Sequence, residues 1–270
     1  MNKMLALLGF LLCLAHPLPG AEEPSSPQLP PKEKFHLFLL AGQSNMAGRG
    51  KPDPLSHMPH PRVFALRRDF LWMPAVDPLH WDKPAAGTGL GKPFAETLAE
   101  RFPDTSVGLI PAACGGSPVS AWKPGVFFEQ TKSHPWDDAV ARTRKSMQNG
   151  TLKAILWHQG ESDANDKNAP DYEKNLEELI HRFRAEFQSP ELPFLIGQLG
   201  KFPGKPWPAA TSTIDAAHQS LAHRLKNVRF IPIPDPGSIG DRLHFDTATL
   251  RSIGKSYAEA YLNLTEKTAP

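Results

Sequence analysis

Short, nearly unbroken apolar runs occupy residues 35–40, 105–110, 154–158, 193–199 and 228–233 of the 270-residue chain. Runs of this length without polar alternation suit strands covered on both faces. Between them hydrophobic residues recur at helical spacing. Phe94, Leu98 and Phe102 form one stripe. Tyr172, Leu176, Leu179, Ile180 and Phe183 form a second, with Pro170 acceptable in its first turn. Ile214, His218, Leu221 and Leu225 form a third. A last helix is expected from about Thr247 to Leu262, with Asp246 as its N-cap. Strand alternating with helix predicts an α/β fold with a central, mostly parallel five-stranded sheet and helices on both faces. Residues 48–90 and 111–135 lack a clear period and read as long loops, which in a compact domain usually carry function.

The polar clusters fall where the apolar runs end. Gly42-Gln43-Ser44-Asn45-Met46 follows the first run, Cys114-Gly115-Gly116-Ser117 the second and His158-Gln159-Gly160-Glu161-Ser162-Asp163 the third. Asp241-Arg242-Leu243-His244 follows the fifth through a proline-rich loop. The carboxyl ends of parallel strands are where open α/β sheets bind ligands, so the four clusters should meet along one edge. Ser44 is the candidate nucleophile and His244 its base, because an imidazole takes and returns a proton near neutral pH. Asp241, three residues before His244, is the nearest acid to fix the imidazole, and Glu161 either takes that role or holds the Gln159 turn. The amides of Ser44, Gly115 and Gly116 and the Gln159 side chain are candidate oxyanion donors. Arg49 follows Ser44 closely, to meet either a substrate carboxylate or merely solvent. No Gly-x-Ser-x-Gly elbow occurs, which disfavours an α/β-hydrolase. His57, His60 and His80 lack metal-ligand spacing, and there is no glycine fingerprint for a phosphate or dinucleotide, so neither metal nor cofactor is expected. Trp72, Trp81, Trp122 and Trp207 fall in loop-like stretches, available for stacking on sugars or for plugging loops to the core.

Composition narrows the setting. A 40% hydrophobic content over this length suffices for one domain with a sizeable core. The formal net charge is +2 without a long basic run, which argues against nucleic acid as a partner. Lys3 followed by an apolar stretch at 4–14, too short to span a bilayer, and then Pro17, Pro19, Gly20 and Ala21 read as a secretory signal cut near Gly20 or Ala21. The expected organisation is a signal peptide at 1–20, a flexible leader at 21–34, one domain at 35–264 and a tail at 265–270. The mature protein is expected to be secreted or periplasmic and free of the membrane. Cleavage would leave Cys114 as the single cysteine, so no intrachain disulfide would form.

Taken together, Gly42-Gln43-Ser44-Asn45-Met46, Gly115-Gly116-Ser117, His158-Gln159-Gly160-Glu161-Ser162-Asp163 and Asp241-x-x-His244 resemble the sialate O-acetylesterase and carbohydrate esterase family six branch of the SGNH hydrolases. The resemblance runs from about Phe35 to Leu264. It implies a flavodoxin-like three-layer α/β/α fold and removal of O-acetyl groups from carbohydrates. It further implies catalysis by Ser44 and His244 with Gln159 as an oxyanion donor. The partner it implies is an acetylated carbohydrate, with sialic acid, xylan and pectin-like chains all open. Two other readings stand beside it: an esterase or thioesterase for non-carbohydrate acyl groups, and a catalytically silent carbohydrate-binding protein on the same fold.

Overall fold

The computed structural model describes residues 27–266; the expected signal peptide lies outside them. The strands are β1 (Phe35–Gly42), β2 (Val63–Leu66), β3 (Trp72–Pro74), β4 (Ser106–Pro111), β5 (Thr151–His158), β6 (Phe194–Gly197) and β7 (Val228–Ile231). They form one seven-stranded sheet in the order β3-β2-β4-β1-β5-β6-β7. All neighbours are parallel except β2 and β3, which form an antiparallel edge hairpin. Two strands beyond the expected five lie in the stretch read as loop. They have four and three residues, are bracketed by Pro and Arg, and carry too few positions for a period to show.

The described residues also form six α-helices: α1 (Ser44–Ala47), α2 (Gly91–Arg101), α3 (Pro135–Ser146), α4 (Tyr172–Glu186), α5 (Ala209–Arg224) and α6 (Thr247–Glu266). Alternate residues of β1 enter different cores, as the period of two requires. Leu37, Leu39 and Ala41 join Trp136 of α3, Leu176 and Ile180 of α4 and Ile214 of α5. Phe38 and Leu40 join Phe94 and Leu98 of α2 and Ile253 and Tyr257 of α6. The result is a three-layer α/β/α sandwich, and β1 reads as continuously apolar because both its faces are covered. Asp246 caps α6 as expected, its Oδ1 accepting the Thr249 N–H at 2.8 Å. Of the leader expected at 21–34, residues 27–34 are described: Leu29 packs against the core and Lys32–Lys34 forms a 3-10 turn. Helix α6 likewise continues to Glu266, two residues beyond the expected domain end.

β1 is the point where the winding changes direction, with β2–β4 on one side and β5–β7 on the other. A crevice opens beyond the carboxyl ends of strands at such a point. Each polar cluster named above leaves the sheet at that end.

Candidate active site

The turn after β1 is built on Gly42. Its φ is +130°, and a Cβ there would overlap the carbonyl of His158 on β5. Glycine therefore lets the two strands stay close while the chain turns, and the Gln43 N–H donates to that carbonyl at 2.9 Å. Ser44 follows as the first residue of α1. Its Oγ lies 2.9 Å from His244 Nε2, and His244 Nδ1 lies 2.6 Å from Asp241 Oδ2. The other Asp241 oxygen accepts the backbone N–H groups of Leu243 and His244, each at 2.9 Å. Burial would raise the Asp241 carboxyl, but the His244 backbone and ring and the Leu243 N–H outweigh it and pull the pKa down to about 2. A short loop thus holds a carboxylate against one imidazole nitrogen and the serine hydroxyl against the other.

Glu161 does not touch His244. Its Oε1 accepts the Asn45 Nδ2 at 2.6 Å, and its Oε2 is buried with no protein partner among the described residues. Burial raises the Glu161 carboxyl, against the Asn45 hydrogen bond and the nearby His244. Asn45 in turn grips the chain on both sides of the histidine. Its Nδ2 donates to the Leu243 carbonyl at 3.1 Å, and its Oδ1 accepts the Phe245 N–H at 3.2 Å. Sequence reasoning placed Asn45 in the motif without assigning it work. The contact spans 200 residues, which no local pattern reveals.

Gln159 is also placed differently from expectation. It is fully buried, and its Nε2 donates to Asp163 Oδ2 at 2.6 Å and to the Ser117 carbonyl at 3.0 Å. The Tyr172 hydroxyl donates to its Oε1 at 2.9 Å. With both amide hydrogens engaged, Gln159 ties the loop after β5 to the loop after β4 and aims no donor at Ser44. Gly115 is likewise committed, its N–H donating to Asp82 Oδ2 at 2.9 Å. Asp82 also pairs with Arg49 at 2.6 Å, both side chains nearly inaccessible, so Arg49 holds this turn rather than facing a ligand. Among the described residues the N–H groups of Ser44 and Gly116 have no protein acceptor. Gly116, at φ +87°, is held by the Ser162 hydroxyl on its carbonyl at 2.9 Å.

The remaining residues sort by burial. His158 is fully buried at its strand end, and desolvation pushes it down to about 3. Trp72 and Trp122 are core residues, whereas Trp81 is 38% exposed. No three His, Cys, Asp or Glu side chains among the described residues converge as metal ligands. No helix among them is long and apolar enough to cross a membrane.

Comparison with known proteins agrees with this geometry. The family profile for carbohydrate esterase, sialic acid-specific acetylesterase, matches residues 34–263. A probable carbohydrate esterase of Arabidopsis thaliana is 32% identical over 269 residues, covering 91% of this chain and 96% of its own. An Arabidopsis crystal structure superposes with a TM-score of 0.75 at 31% identity, over 87% of this chain and 99% of that one. NanS shares the fold with a TM-score of 0.70 at 20% identity, over 88% of this chain and all of its own. A carbohydrate acetylesterase from Xanthomonas citri does so at 0.67 and 22% identity, over 87% of this chain and 57% of its own. This chain therefore belongs to the sialic acid-specific acetylesterase family of carbohydrate esterases, and it is a carbohydrate O-acetylesterase.

Proposed function

We propose that this protein hydrolyses O-acetyl esters on carbohydrates through a covalent acetyl-enzyme on Ser44. The observation that carries the reading is the continuous chain from Ser44 Oγ to His244 Nε2 and from His244 Nδ1 to Asp241, at 2.9 and 2.6 Å. Ser44 Oγ attacks the acetyl carbonyl while His244 takes its proton. Negative charge develops on the carbonyl oxygen and is met by the two unpaired N–H groups, those of Ser44 and Gly116. His244 then returns the proton to the departing sugar oxygen, leaving acetate esterified to Ser44. Water repeats the attack with His244 again as base and frees acetate. Asp241 keeps the imidazole in the right tautomer and stabilises it when charged.

The family supports an acetylated sugar as substrate, with sialic acid, xylan and pectin-like chains as the classes to separate. The Lys3 and apolar 4–14 pattern supports export, so a secreted or periplasmic enzyme meeting extracellular glycans is the proposed setting. The test is acetate release from a panel of acetylated xylan, pectin and sialic acid by the wild type and by Ser44→Ala. Release by the wild type alone supports the reading. Equal release by both proteins removes Ser44 from the mechanism, and release from acetylated lipids or thioesters alone would move the substrate outside carbohydrates.

A further inference from the structure

A second cavity, of about 410 Å³, lies behind the Cys114–Gly116 turn, on the β4 and β2 side of the same sheet edge. Its volume falls in the ~300–1,000 Å³ range typical of small-molecule sites. Asp82 and Cys114 form the wall shared with the catalytic turn. On the other side stands Arg142 of α3, which the proposed reaction does not use.

Arg142 is held as a fixed donor. Its Nε donates to the Pro111 carbonyl at 2.8 Å, and its Nη2 donates to the carbonyls of Leu66 and Arg67 at 2.6 and 3.0 Å. Its guanidinium carbon lies 4.5 Å from the Trp81 ring centre and 5.3 Å from that of Phe70. Arg142 lines the cavity, and its Nη1 is the guanidinium nitrogen without an acceptor among the described residues. Burial lowers Arg142 to about 10, so it stays charged at neutral pH while partly stripped of water. Such a group gains most from an anionic acceptor.

The other charges lining the cavity leave room for one. Asp82 is neutralised by Arg49, and Lys132 pairs with Glu129. Arg68 adds a cation, and Asp138, the remaining acid in the lining, acts with Asp69 on Arg142 and offsets part of its charge. The rim carries aromatic surface: Trp81 is 38% and Phe70 40% exposed. The Trp81 face toward Arg142 is covered by the guanidinium, so the indole walls the cavity and fixes the arginine in place.

We infer that this cavity is a subsite for a carboxylate-bearing sugar unit adjoining the acetylated one, with Arg142 receiving the carboxylate and Trp81 holding the guanidinium in place. The inference rests on the carbohydrate reading above and extends it to the neighbouring unit of a longer glycan. Its test is calorimetric titration of the Ser44→Ala protein, which reads binding without turnover. The probes are an oligogalacturonide, a sialylated oligosaccharide and a neutral xylo-oligosaccharide.

At least one acidic probe is expected to bind about tenfold or more tighter than the neutral one, and to lose about tenfold on adding Trp81→Ala or Arg142→Lys. Whichever acidic probe binds names the source of the carboxylate. Trp81, at the rim, keeps the test sound if Arg142→Lys loosens the β2–β3 hairpin. Equal binding of acidic and neutral probes, no binding of any, or acidic binding untouched by Trp81→Ala in a folded protein overturns the assignment. Acidic binding without hydrolysis of any acetylated glycan by the wild type would overturn the esterase reading and leave the subsite standing.

Discussion

Two acids stand near one histidine, and the choice between them is a matter of single atoms. Asp241 touches the ring nitrogen that Ser44 does not, whereas Glu161 reaches the histidine loop through Asn45. Asp241→Asn is therefore expected to lower kcat by about a hundredfold or more, because an amide can hold the wrong tautomer. Glu161→Gln keeps an oxygen for Asn45 and is expected to cost about tenfold or less. Steady-state kinetics on one acetylated sugar checks both, and the reverse order would make Glu161 the supporting acid. Gln159 makes a different prediction from the one its motif suggests. Gln159→Ala leaves the buried Asp163 side chain with only the Val119 N–H as hydrogen-bond partner among the described residues, and strips the Tyr172 hydroxyl of one acceptor. The expected outcome is a loss of about 2–3 kcal/mol in unfolding free energy, the usual penalty for an unsatisfied buried polar group. Calorimetry decides: an unchanged Tm with a large fall in kcat would return Gln159 to the oxyanion site.

Individual elements differ in how plainly the sequence announces them. β1, β4 and β5 are legible because burial on both faces leaves no polar position to break the run. α4 and α6 are legible because fifteen and twenty residues give several turns of period. α3 is not: Arg142 and Thr143 are buried within it, so its inner face reads as polar. The same reason hid the second cavity, since a guanidinium bonded to strand-end carbonyls has no sequence signature. The catalytic loop was legible in its Asp-x-x-His spacing, but its anchoring was not. It leads directly into α6, whose first turn is capped by Asp246, two residues after His244. Asp246→Ala is expected to cost about 1 kcal/mol, seen as a Tm lower by about 2–4 °C, while Asp246→Asn retains most of it. A Tm unchanged by Asp246→Ala would show that packing alone fixes the start of α6.

At the scale of the whole molecule, the sheet brings together four segments spread over 200 residues at its carboxyl edge, and the fold's stability carries its own pH signature. Asp77 is buried beside Lys92, Glu96 and Arg251, and desolvation raises it to about 7 against the Gly89 N–H on its carboxylate. The unfolded chain gives up this proton near pH 4 and the folded one near 7, so over that window the native state binds more protons. Unfolding free energy contributed by this group therefore falls as pH rises from 4 to 7, by up to a few kcal/mol, and is flat above. The difference in Tm between wild type and Asp77→Asn should drift across that window and stop drifting beyond it; a constant difference would refute the burial effect. The family and the α/β/α architecture were readable from motif order and run spacing. Which amides remain free for an oxyanion was not, because that depends on which neighbours claim the others. The central claim is a covalent acetyl group on Ser44, and the direct measurement is the mass of enzyme quenched during turnover of an acetylated sugar, with peptide mapping. The account predicts an acetyl adduct on the peptide containing Ser44 in the wild type and none in Ser44→Ala. Turnover with no adduct at Ser44, in an enzyme that stays active as Ser44→Ala, would contradict it.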